Sequence, residues 1–155
     1  MADFYFVDTG ALAKRYILET GSAWLRGLLN PTTGNKVFII RTTAIEMIAA
    51  VSRREISGSL SSTDAAAARS DFRADLAIEY QVVELSVTLA NLAMQLAERH
   101  GLRGYDAIQL AASLEVNSFR TSHGAPPITL LSSDMELNTA ATTEGLACDD
   151  PNAHP

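Results

Sequence analysis

Four acidic side chains stand at positions where a folded chain does chemistry: Asp8, Glu46, Asp106 and Asp134. Asp8 directly follows the short apolar run Phe4-Tyr5-Phe6-Val7. Glu46 lies in the first turns of the helical pattern after a second such run, Lys36–Ile40. Asp106 opens a nearly all-apolar helical stretch from Tyr105, and Asp134 comes three residues after Leu131, the end of the run Ile128–Leu131. Carboxylates gathered in one place repel and raise one another's proton affinity. A hard divalent cation, Mg²⁺ or Mn²⁺, relieves that repulsion and takes oxygen ligands. Such an ion activates water and clamps the oxygens of a phosphodiester, which is the chemistry this pattern points to.

Each acid also has a structural use. Thr43-Ala44-Ile45-Glu46 reads as a capping box. Asp8 suits the cap of a helix starting near Gly10, and Asp106 and Asp134 lie near helix N-termini, where the macrodipole favours acids. Taken singly, each fits a cap as well as a ligand. The combination favours a site, because Asp8 follows a buried strand and Asp106 sits between Tyr105 and Ala107-Ile108. A carboxylate that close to a core has a specific partner.

The elements that must position these acids emerge from hydrophobic periodicity. Strands are expected over 4–7, 36–40, 80–85 and 128–131, with a short fifth near 145–147. Between them come helical patterns: 11–18, 22–29, 42–58, the alanine-rich 61–78, a stripe of Leu85, Leu89, Leu92 and Leu96 running to His100, 105–116, and 132–141. Short apolar strands separated by helices imply an α/β fold, a three-layer α/β/α sandwich on a short parallel central sheet. Helices that come after parallel strands begin at the sheet's carboxyl edge, so Asp8, Glu46 and Asp134 are expected to converge there. Asp106 comes after an extra helix pair, and pattern alone does not place it.

Composition narrows the field. A chain of 155 residues suits one domain, expected over 1–148, with a flexible tail at 149–155. The net charge of −6 excludes a protein that grips nucleic acid chiefly through a large basic surface. The single cysteine, Cys148, excludes an intrachain disulfide and argues against a Cys-based metal site. His100, His123 and His154 lack zinc spacing, and no dinucleotide, P-loop or nucleophile-elbow motif occurs. A receiver-type module needs an acid after the third strand, yet Tyr80–Leu85 leads into Ser86. With no apolar stretch approaching the ~20 residues of a membrane span and no basic region ahead of an apolar one, a cytoplasmic protein with no membrane contact is expected.

Five segments carry a family resemblance: Phe6–Tyr16; Glu19-Thr20-Gly21; Thr43–Glu46 with Ala49-Ala50-Val51 and Arg53; Leu102–Ala112; and Leu131–Leu137. In this order they resemble PIN-domain ribonucleases, and the full pattern resembles the VapC toxins of bacterial toxin–antitoxin pairs. The resemblance implies that Asp8, Glu46 and Asp106 are the three core metal-binding acids and Asp134 the more variable fourth, holding Mg²⁺ or Mn²⁺ for cleavage of RNA. It places a hydroxyl at Ser132. Gly10 stands where relatives carry Ser, and Gln109 where many carry His. Thr9, Ser132, Arg15 and Arg103 are the expected substrate contacts, with Arg53-Arg54 and Arg99 as further cations near the acids. An antitoxin partner and a homodimer are also implied. The alternatives are a PIN-like nuclease of RNA processing or DNA metabolism outside such a pair, and a non-catalytic Mg²⁺-binding α/β module.

Overall fold

A computed structural model describes residues 1–155. In chain order the elements are β1 (Phe4–Val7), α1 (Thr9–Tyr16), α2 (Ser22–Leu28), β2 (Lys36–Ile40), α3 (Arg41–Ser57), α4 (Ser62–Ile78), β3 (Tyr80–Val83), α5 (Val87–His100), α6 (Gly104–Ser122), β4 (Thr129–Leu131), α7 (Met135–Thr143) and β5 (Ala147–Asp149), with 3-10 turns at Pro31–Thr33 and Pro151–Ala153. All five strands are parallel, in the order β3-β2-β1-β4-β5.

Successive strand residues point to opposite faces, and that alternation builds two cores. Phe6, Ile40 and Leu130 face a layer of α5, α6 and α7, where Leu89, Leu96, Leu110 and Leu137 are buried. Val7, Ile39 and Leu131 face the other layer, where Leu12, Leu25, Met47 and Phe72 of α1–α4 are buried. The expected three-layer α/β/α sandwich is therefore the observed architecture.

The order places a topological switch at β1. The chain leaves β1 toward β2 on one side, while β4 pairs on the other. Parallel sheets open a crevice at the carboxyl end of such a point. The crevice lies where β1 runs into Asp8 and β4 into Ser132, and it is tied by the Asp8 backbone N–H donating to the Leu131 carbonyl at 3.1 Å.

Several boundaries differ from expectation. β3 ends at Val83, and Leu85 precedes its helix because the Ser86 hydroxyl caps α5 by accepting from the Leu89 N–H at 3.0 Å. The helix expected over 105–116 continues to Ser122, and the one expected from 132 starts at Met135 because Asp134 caps it. The fifth strand lies two residues later than the pattern suggests. The flexible tail is a correction: Asp149 ends β5, Pro151 is buried, and His154 stacks on Trp24.

Candidate active site

The crevice begins with Asp8. Its Oδ1 caps α1, accepting from the Ala11 N–H at 2.7 Å, and its Oδ2 accepts from the Ser132 hydroxyl at 2.6 Å. Both oxygens are thus held in place, and the residue is buried. Burial pushes its pKa up to about 6. The bonds from Ser132 and Ala11 pull it down, and the charges of Asp106 and Asp134 push it up again. Those two acids therefore lie close enough to act on it.

Ser132 is fully buried and serves as a hub. While its hydroxyl donates to Asp8 it also accepts from the Asp134 N–H at 3.0 Å, fixing the start of α7. Asp134 caps α7 through the Leu137 N–H at 2.9 Å. Capping uses Oδ1 of Asp8 and of Asp134, and Asp8 Oδ2 also accepts from Ser132, so a ligand role for either acid draws on its remaining lone pairs.

Glu46 is different. α3 starts at Arg41 with no side-chain cap, so the expected capping box does not form. The helix begins straight after β2, which carries Glu46 past the first turn. Its Oε1 is buried with no hydrogen-bond partner. Burial raises its pKa; the Thr9 hydroxyl and Arg53 lower it, and Asp106 raises it. Asp106, in the first turn of α6, is half-buried. Its pKa is raised by burial and then by Asp134, and lowered by Arg103. All four acids thus share one electrostatic neighbourhood, although no three of them close into a tight ligand cluster.

The floor of the site was not evident in the sequence. Gln109 of α6 is buried and donates to the Thr43 hydroxyl at 2.9 Å and the Thr9 hydroxyl at 3.2 Å, joining α6, α3 and α1 beneath the acids. Its Oε1 is a second buried oxygen without a partner. A glutamine inside a nearly all-apolar helix was the available signal.

Three expected substrate contacts are corrected. Arg15 lies seven residues beyond Asp8, about 10 Å along α1. Its guanidinium turns away to Glu79 at 2.7 Å, Asp75 at 3.5 Å and the Tyr80 hydroxyl at 2.9 Å. Ser132 is inaccessible to substrate, and the Thr9 hydroxyl is engaged by Thr43 and Gln109. Arg54 pairs with Glu19 and Arg99 with Glu144. Arg53 and Arg103 are exposed, form no ion pair, and act on Glu46 and Asp106 respectively.

Residues 5–126 match the PIN domain family. The chain belongs to this family. The PIN match covers β1 through α6, and with them Asp8, Glu46 and Asp106. The chain is also 29% identical over 140 residues, 90% of each protein, to Ribonuclease VapC45 and to Ribonuclease VapC49, both of Mycobacterium tuberculosis. Among solved structures, PAE2754 from Pyrobaculum aerophilum superimposes with a TM-score of 0.64 at 22% identity, covering 99% of this chain and 95% of that one. VapBC2 from Rickettsia felis, solved bound to a promoter DNA fragment, superimposes with a TM-score of 0.57 at 12% identity, covering 95% and 98%. At these identities the likeness is one of fold, and it extends the PIN architecture through α7 and β5.

Proposed function

We propose that this PIN domain is a divalent-metal-dependent endoribonuclease, the toxin of a toxin–antitoxin pair acting in the cytoplasm. The observation that supports it is the buried, unpartnered Glu46 oxygen, together with the charge of Asp106 and Asp134 acting on Asp8 and that of Asp106 acting on Glu46. An all-oxygen, acidic donor set suits Mg²⁺ or Mn²⁺. Asp8, Glu46 and Asp106 would hold the ion, with Asp134 beside them. When bound, such an ion supplies Lewis-acid charge that makes water more acidic and screens a phosphodiester.

The chain's own groups do the rest. Asp8 is held by Ala11 and Ser132, so it does not reorient when charge changes beside it. Gln109 fixes α1 against α3, which sets Glu46 relative to Asp8. Arg103 and Arg53 flank the acids and receive the phosphates of the RNA backbone. The likeness to ribonucleases VapC45 and VapC49 supports RNA as substrate, and the likeness to VapBC2 supports an antitoxin as partner. An acidic crevice is a receptor for an arginine from such a partner. Ile45 and Ile56 on α3, with Leu18 just beyond α1, are exposed apolar side chains that a homodimer would cover. No helix is long and apolar enough to cross a membrane.

The test is cleavage of total RNA by the purified protein with Mn²⁺ or Mg²⁺, with and without chelator, alongside Asp8→Asn. Cleavage is expected to vanish with either the chelator or the substitution. Cleavage that survives both overturns the mechanism.

A further inference from the structure

The segment 149–155 lies outside the PIN match, yet it is joined to Asp8 and Asp134 through Ser132. Gly21 caps α2 with φ +84°, and a Cβ there would stand 2.2 Å from the Pro151 carbonyl oxygen. Only glycine admits that approach. Three residues on, the Trp24 ring stacks on His154 with centroids 4.0 Å apart and planes 7° from parallel. The His154 Nε2 is bonded back to Asp149 Oδ1 at 2.8 Å, and Asp150 closes the turn between them by accepting from the Asn152 N–H at 2.8 Å. The Asp149 carbonyl in turn accepts from the Ser132 N–H at 3.1 Å. Ser132 holds Asp8 with its hydroxyl and accepts from the Asp134 N–H.

β5 has three residues and a single neighbour, β4. So short an edge strand is weakly held by its own hydrogen bonds. We propose that residues 149–155 are a strap that, seated on Gly21 and Trp24 of α2, positions Ser132 and through it Asp8 and Asp134. This rests on those acids being the metal site. The strap touches neither metal nor substrate. It is a positioning element, and its failure lets the last β5 carbonyl fray, the Ser132 amide lose its acceptor and the hydroxyl leave Asp8.

The test compares the full-length wild type with Gly21→Ala, His154→Ala and His154→Phe. Trp24 is the chain's one tryptophan, so its indole N–H resonance reports the seat in every variant. Gly21→Ala and His154→Ala are expected to shift that resonance and to speed amide exchange at Ser132. Free-Mn²⁺ EPR is expected to show affinity about tenfold weaker, as for other supports of a ligand set. The kcat on an RNA oligonucleotide falls with it while KM holds. His154→Phe keeps an aromatic ring on Trp24 and recovers most of the Mn²⁺ affinity. If Gly21→Ala does not fold, the two His154 variants carry the same comparison. A moved Trp24 resonance with wild-type Mn²⁺ affinity and kcat overturns the strap. If wild type neither binds Mn²⁺ nor cleaves RNA, it is the nuclease reading that fails. Ser132 exchange then decides the strap alone, and unchanged protection in both Gly21→Ala and His154→Ala overturns it.

Discussion

Asp8 is the residue on which stability and function pull in opposite directions. The folded chain holds its proton up to about pH 6, against 3.8 for an unperturbed aspartate, chiefly because the carboxylate is buried. A raised acid stabilises the fold while protonated. That contribution is fully present below about pH 4 and is lost as pH rises through about 6, a loss of about 3 kcal/mol. Asp8→Asn keeps an oxygen for the Ala11 N–H and carries no charge. It is expected to melt several degrees above wild type at pH 7.5, with the gap closing toward pH 4. Millimolar Mn²⁺ should raise the wild-type Tm and leave the variant's unmoved. Thermal melts at the two pH values check this, and a variant no more stable at pH 7.5 would show that burying the Asp8 charge does not destabilise the wild type. The positions of Asp8 after a strand and of Asp134 before a helix were legible in the sequence, whereas pattern alone did not place Asp106, and Glu46 lies past the first turn of α3. Thr43 and Gln109 were not, since their contact needs the facing sides of α3 and α6, 66 residues apart in the chain, to be known.

Among the elements, α1 shows how a helix serves two ends. Its N-terminus presents Asp8 to the crevice, and its last turn spends Arg15 on the α4–β3 junction. There the guanidinium meets Asp75, Glu79 and Tyr80, with the Tyr16 hydroxyl bonded to both Asp75 and Tyr80. Removing one partner of a largely buried ion pair strands the others. Arg15→Ala is therefore expected to destabilise the fold by about 2–3 kcal/mol while leaving Mn²⁺ affinity unchanged. Urea unfolding and metal titration on the same sample separate the two. A loss of metal affinity with little loss of stability would return Arg15 to the site. Sequence spacing could place Arg15 near Asp8 along the chain but not say which way its helix face turns. The tail was opaque for a related reason. Its polar, proline-containing composition reads as loose, and the order comes from Gly21, about 130 residues away, which leaves room for Pro151.

The whole molecule carries −6, and with the four acids of the proposed site set aside from the eighteen, the body is left near −2. Of the twelve basic side chains, half are tied to acids of the protein itself: Lys14, Arg15, Arg41, Arg54, Arg69 and Arg99. Arg53 and Arg103 are the unpaired cations whose charge reaches the site acids. On the proposed function, such a nuclease would grip RNA with few phosphate contacts and would need a bound cation to cancel the pocket's charge. The slope of log affinity against log salt is about −0.7 for each phosphate contact on a single strand, so two arginines give a slope of about −1.4. Binding of an uncleavable RNA oligonucleotide in Mg²⁺ should show that shallow slope, and Arg103→Ala should halve it to about −0.7. In chelator the same oligonucleotide should bind far more weakly, because the four carboxylates then face the backbone unscreened. A slope of about −4 or steeper would require more phosphate contacts than two arginines make. An unchanged slope in Arg103→Ala would remove that residue from the RNA path.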